Sequence, residues 1–217
     1  MKLHLGCGQR YFEGYVNIDF PLSGHSVQTT SVADEHADIT ALRYHKGEVD
    51  EVRLHHVFEH FTRPVACALV ASWRSWLKPK GVLHIEVPDF QKTAKAMLKR
   101  FVPFKKQAVA ERHLFGSHEA SWAVHCDGYT PKTLGFFVEC YGFQILEVKK
   151  NSWLGTHNFE IIAQKNTQSL SRADLLQRTK EFLRNYLVDD SEGELRLLEI
   201  WLDIYNKQVE KCWAYDG

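Results

Sequence analysis

A doubly wound α/β fold with a helical appendage is what this sequence predicts, on three observations. Short apolar segments recur, and most end on a glycine, a carboxylate or a histidine. Helical periodicity fills much of the space between them. After Lys165 the strand-like segments stop and two amphipathic helices follow. Sheets of this kind bind ligands beyond the carboxyl ends of their strands, so the chemistry is expected just after each strand.

The elements follow in order. Leu3–Leu5 is a short apolar strand ending in Gly6-Cys7-Gly8. Tyr15–Asp19 (YVNID) is a second, Ala37–Ile39 a brief third, and Val49–His55 (VDEVRLH), roughly alternating, a fourth. Pro64–Leu77 predicts a helix, with proline in its first turn and Val65, Leu69, Trp73, Trp76 and Leu77 at near-helical spacing. Pro79-Lys80-Gly81 stops it, and Val82–Val87 is a fifth strand closed by Pro88-Asp89. A helix runs from Phe90 to about Arg100.

Residues 101–129 lack clear periodicity and read as an insertion with some helix, lying over the site. Thr130–Tyr141 is a helix, and Phe143–Val148 and Phe159–Gln164 are two strands. Ser169–Leu187 and Glu194–Trp213 form a helical hairpin. Its stripes are Leu175, Leu176, Phe182 and Leu183 on one helix and Leu197, Ile200, Trp201, Ile204 and Tyr205 on the other. The expected division is a core domain at 1–165 and a hairpin at 166–217. The hairpin packs on the outer helices or forms a homodimer seam.

Composition excludes several classes. Lys plus Arg equals Asp plus Glu at 27 each in 217 residues, so no basic excess argues for nucleic acid. Five cysteines without a C-x-x-C disfavour a disulfide framework or a four-cysteine zinc site and fit a reduced, cytoplasmic setting. The start MKLHLGCG is too short and polar for a signal peptide, and no apolar run is long enough to span a membrane.

At the first strand end, Gly6-Cys7-Gly8 allows a tight turn and close approach of a ligand to backbone. An ordinary tight turn would look the same. Asp19, at the end of the second strand, can accept hydrogen bonds from a ribose diol. It lies 11 positions after Gly8, against about 20 in dinucleotide-binding enzymes. With so little crossover helix and no G-x-G-x-x-G, a nicotinamide cofactor is disfavoured and a nucleoside without phosphates fits better. Asp38 either caps a short helix or meets an adenine edge.

The ordered set LHLGCG, GYVNID, ADIT, VDEVRLHHVFEHF and WRSWLKPKGVLHIEVPDF resembles the class I S-adenosylmethionine-dependent methyltransferases. Within them it is most similar to a small branch with an abbreviated first helix and a Glu-His pair after strand four. YTPKTLGFFVECYGFQILEV extends the likeness to about residue 165. The resemblance implies a Rossmann-like sheet of seven strands with the last antiparallel. It implies S-adenosylmethionine as cofactor, leaving as S-adenosylhomocysteine. Leu5, Gly6, Cys7 and Gly8 would lie along its methionine part, Asp19 on the ribose, Asp38 and Ile39 near the adenine, and His55 to Glu59 beside the sulfonium and acceptor. The chain departs from the superfamily in starting at strand one, without the N-terminal helix that often covers the acceptor.

His56-Val57-Phe58-Glu59-His60 also fits the H-x-x-E-H pattern of inverted zinc proteases. That chemistry needs both histidines on one helical face. These residues fall between a strand and the helix starting at Pro64, so we expect no metal there. The expected catalytic group is His60, then His56 and His125 as bases near neutral pH, with Glu59 orienting a histidine or holding a hydroxyl. Ordinary packing at a strand end is the plain alternative for each.

Methylation of nucleic-acid amino groups commonly uses an Asp/Asn-Pro-Pro-aromatic turn, which is absent here. A sugar, glycan precursor or small hydroxylated metabolite is the expected acceptor, by analogy with relatives. The competing classes are a non-catalytic methyltransferase-like subunit that docks a partner through its hairpin, and the zinc hydrolase.

Overall fold

The computed structural model describes residues 1–24, 27–153 and 156–215. Among them seven strands form one sheet in the order β3-β2-β1-β4-β5-β7-β6. β1 (Lys2–Leu5), β2 (Val16–Asp19), β3 (Glu35–His36), β4 (Val49–His55) and β5 (Leu77–Pro88) run parallel, and β7 (Thr156–Lys165) runs antiparallel between β5 and β6 (Phe143–Trp153). The doubly wound sheet with its last strand reversed is therefore as expected. The apolar residues of β1 and β4, Leu3, Leu5, Val49, Val52 and Leu54, are fully buried, as central parallel strands require.

The third strand departs from the sequence reading. It is Glu35–His36, and the expected strand Ala37–Ile39 gives way to a 3-10 turn at Ile39–Ala41. Asp38 Oδ1 accepts from the Thr40 amide at 2.8 Å and caps that turn, offering the backbone a partner in place of a ladder.

Helix α1 (Arg63–Trp76) packs Trp73 and Trp76 into the core with no exposed surface. α2 (Phe90–Met97) stops before the expected Arg100, and Phe101 has a φ of 68° that no helix accommodates. The 101–129 stretch is more ordered than its sequence suggests. It holds α3 (Phe104–Phe115), ended by Gly116 at a φ of 93°, and then returns along the site. There Cys126 donates its amide to the Glu59 carbonyl at 2.7 Å, and Tyr129 bridges to Asp89. α4 is Pro131–Cys140.

The hairpin is α5 (Arg172–Arg184) and α6 (Glu192–Cys212). It packs on α1: Trp76 donates its indole N–H to the Cys212 carbonyl at 2.9 Å, and Gln208 donates to the Thr40 carbonyl at 2.6 Å. The buried stripe of α6 is Leu198, Tyr205, Val209 and Cys212, while Ile200 is 56% exposed. Of the expected stripe Tyr205 is buried and Trp201 packs against the core, and the rest turns away from it, because Leu197, Ile200 and Ile204 offer an apolar spacing on a neighbouring face. The buried stripe lies against α1, an outer helix of the core.

Candidate active site

The carboxyl ends of β1, β2 and β4 surround a cleft of about 800 Å³. Gly6, Cys7 and Gly8 line it after β1, Asp19 after β2, Asp38 and Ile39 beyond β3, and His55, His56 and His60 after β4. Leu5 does not: it is fully buried beneath the floor, since strand alternation turns its side chain into the core.

The glycines are demanded by shape. Gly6 has a φ of 68°, and a Cβ there would stand 2.3 Å from Val57 Cγ2. Gly8 has a φ of 55° and faces open space, so its backbone is bare to the cleft. Asp19 is 6% exposed and accepts from the Gly8 amide at 3.0 Å and from the Phe20 amide at 2.8 Å. Those two bonds pin the carboxylate at the strand end beside the bare glycine backbone. Burial pushes the Cys7 thiol up to about 11, so its sulfur is a wall and not a nucleophile.

The histidines are brought together by an unusual turn. His56 follows β4 with a φ of 54°, in the left-handed region, and its amide is held by the Glu86 carbonyl at 2.9 Å. The chain then makes a 3-10 turn at Phe58–His60. His56 Nδ1 lies 3.2 Å from Glu59 Oε1, and its Nε2 lies 3.4 Å from Glu86 Oε1. Burial opposes the imidazolium, but the two carboxylates outweigh it and raise His56 to about 9. Burial likewise opposes the Glu86 carboxylate, yet His56, Asn151 and His55 hold it down to about 2. His55 is lowered to about 4, chiefly by burial. Its Nδ1 meets His4 Nε2 at 3.2 Å, and His4 Nδ1 meets Asn17 Oδ1 at 3.1 Å, which fixes the ring through the sheet.

Glu59 and His125 sit behind the cleft. Glu59 is 1% exposed and shares a void of about 10 Å³ with His125, Leu114 and Tyr129. They reach the cleft through neighbours: Glu59 through His56, and His125 through its ring, 4.7 Å from that of His60. His60 Nδ1 faces the Val124 carbonyl at 3.2 Å and His125 Nδ1 the Leu114 carbonyl at 3.2 Å. Donating there leaves the Nε2 lone pair of each ring to accept.

The ligand atoms of Glu59, His60 and His125 lie within 4.8 Å of one another. His56, which the H-x-x-E-H pattern requires, is outside this group, because the backbone around it is not helical and the shared face of residues 56 and 60 does not form.

Residues the sequence did not single out complete the site. Glu86 is central to the histidine cluster, yet on β5 it reads as an ordinary polar position. Arg10 and His56 line both the cleft and a second, polar hollow of about 710 Å³ walled by Glu86, His113, Asn151 and Asn158.

No family model matches the chain, and no curated protein matches it. Solved structures do. An S-adenosylmethionine-dependent methyltransferase from Methanosarcina mazei superposes with a TM-score of 0.52 at 17% identity, over 77% of this chain and 92% of that one. The 1,6-didemethyltoxoflavin-N1-methyltransferase of Burkholderia thailandensis does so at 0.52 and 14% identity, over 76% and 70%. That structure holds 1,6-didemethyltoxoflavin and S-adenosylhomocysteine. A methyltransferase from Archaeoglobus fulgidus gives 0.50 and 17%, over 76% and 85%.

The chain has the class I S-adenosylmethionine-dependent methyltransferase fold. In this methyltransferase fold the 800 Å³ cleft lies at the strand ends where doubly wound sheets bind their ligands. Its bare glycine backbone and pinned carboxylate suit a ribose diol.

Proposed function

We propose that the protein is an S-adenosylmethionine-dependent methyltransferase acting on a hydroxyl of a sugar, glycan precursor or small hydroxylated metabolite. The observation that carries the reading is Asp19. It sits at the end of β2, anchored by the Gly8 amide at 3.0 Å, where a ribose diol would meet both the carboxylate and the glycine backbone. Asp38 and Ile39 border the same cleft on the side expected for adenine.

S-adenosylmethionine would supply the electrophilic methyl group. The chain's own residues have three tasks. His55, His56 and His60 line the cleft, and on this reading their side is the reacting end. His60, with Nδ1 committed to the Val124 carbonyl, keeps Nε2 to take the acceptor's proton. His56, cationic below about pH 9, is not the base; it donates and holds Glu86 and Glu59 in place. Arg10 Nη1 stands 3.9 Å from Glu86 Oε2 on its other side, so His56 and Arg10 together balance the Glu59 and Glu86 carboxylates.

The acceptor reading is supported by the second hollow. Arg10, Asn151, Asn158 and Glu86 offer donors and acceptors there, a pattern that a polyhydroxylated molecule satisfies. No described helix is long and apolar enough to cross a membrane, and the five free cysteines fit a reducing, cytoplasmic setting.

Calorimetric titration of S-adenosylhomocysteine tests the reading. Binding near micromolar is expected, about −8 kcal/mol, weakened at least tenfold in Asp19→Asn. Absence of binding to the intact protein would overturn it.

A further inference from the structure

Between Asp89 and Glu111 the sequence has no Asp or Glu and carries six Lys or Arg, although the chain as a whole is neutral. The segment comprises α2, the turn after it and the start of α3. Its cations, Lys92, Lys95, Lys99, Arg100, Lys105 and Lys106, are all exposed. None of them takes part in an ion pair among the described residues.

At the turn itself the apolar side chains point outward. Leu98 is 85% exposed, Phe101 85% and Phe104 82%. Single exposed apolar residues are ordinary, but three within seven positions, ringed by unpaired cations, are not. The Phe101 backbone, at a φ of 68°, is in a conformation a bulky side chain rarely adopts, and the Arg100 guanidinium lies 4.7 Å from its ring centroid.

We propose that the 98–104 turn is a docking tip for the surface of an anionic lipid bilayer. Interfacial binding needs two elements together, apolar side chains that enter the acyl boundary and a basic collar that meets the headgroups. This turn carries both. The collar makes the charge match with anionic lipid. The tip favours lipid over nucleic acid, because Leu98 has no ring to stack on bases, whereas acyl chains accept leucine and phenylalanine alike. The binding is peripheral. α3, which begins at this tip, also brings His113 to the polar hollow, so a docked molecule would hold that hollow close to the bilayer. The contact itself stands apart from the transferase reading.

Co-sedimentation of the full chain with vesicles tests it, using phosphatidylcholine alone and phosphatidylcholine doped with phosphatidylglycerol, at physiological salt. The expected result is at least about tenfold stronger partition to the anionic vesicles. Two variants, Leu98→Ser/Phe101→Ser/Phe104→Ser and Lys99→Glu/Arg100→Glu/Lys105→Glu, should each lose most of that binding. Their melting temperatures and S-adenosylhomocysteine titrations should be unchanged, since these side chains are exposed. Equal partition to both vesicle types would overturn the proposal. So would binding that the serine variant leaves intact, or that RNA displaces as well as anionic lipid does, since either outcome marks a simple polyanion site.

Discussion

His56 Nε2 lies 3.4 Å from Glu86 Oε1, an ion pair that joins the loop after β4 to the end of β5, with His56 lining both the cleft and the polar hollow and Glu86 the hollow. The pair makes stability depend on pH. His56 rises from 6.5 to about 9, so its contribution is complete below pH 6.5 and is lost as pH climbs toward 9. Glu86 falls from 4.5 to about 2, so its contribution is complete above 4.5 and is lost as pH drops toward 2. His55, lowered to about 4, adds a loss as pH falls from 6.5 to 4. Melting temperature should therefore peak near pH 6.5 and decline on the alkaline side. Glu86→Gln should flatten the alkaline decline and bring the His56 titration, followed by NMR, down by more than a unit. A His56 midpoint below 7 in the unaltered protein would contradict this account.

Separation of the two histidine roles is measurable once an acceptor is found. His60→Ala should lower kcat by about 10²- to 10⁴-fold, the range for loss of a positioned base. S-adenosylhomocysteine affinity should change little. His56→Ala should instead lower the melting temperature, because it strands the buried Glu59 carboxylate without its partner.

The polar hollow predicts a KM effect without a cofactor effect. Asn158 donates to Asn151 Oδ1 at 3.0 Å, and both line the hollow but not the larger cleft. Asn151→Ala should raise KM for the acceptor several-fold and leave the affinity for S-adenosylhomocysteine alone. A matching drop in both would place the acceptor elsewhere.

Gly6→Ala should combine a left-handed backbone penalty of about 1–2 kcal/mol with a clash on Val57. Adding Val57→Ala should restore the steric part of the melting temperature and not the backbone part. Full recovery would mean that φ at position 6 relaxes freely.

The sheet and the rim of the cleft were legible because they rest on local signals. Period-two strands, Gly6 and Gly8 after β1, and Asp19 after β2 announce themselves within a few residues. Three features could not be read in that way. Asp38 could be read as a cap from the sequence, but the third strand ends before it, at His36, where a strand over Ala37–Ile39 was expected. Glu86 joins the site from β5, an element distant in sequence, and a carboxylate on a strand gives no sign of which side chain it will face. The rotation of the α6 stripe is a third case: several faces of that helix are apolar, and only the surface of α1 decides among them. The residues around His56 were visible as a cluster, but their protonation depends on tertiary neighbours.

The far end of the hairpin has a consequence for how the molecule is made. Gln208 is bonded to the Thr40 carbonyl, Arg43 to the Trp213 carbonyl and Tyr215 to the Tyr44 carbonyl, and Thr40 itself borders the larger cleft. Chain positions about 170 apart thus meet to fix one wall of that pocket. During synthesis the strands can pair and the glycine turn can form early. Thr40, Arg43 and Tyr44, however, lack these bonds until residues 208–215 have left the ribosome. A nascent chain of this protein would acquire its sheet before that wall of the cleft is fixed.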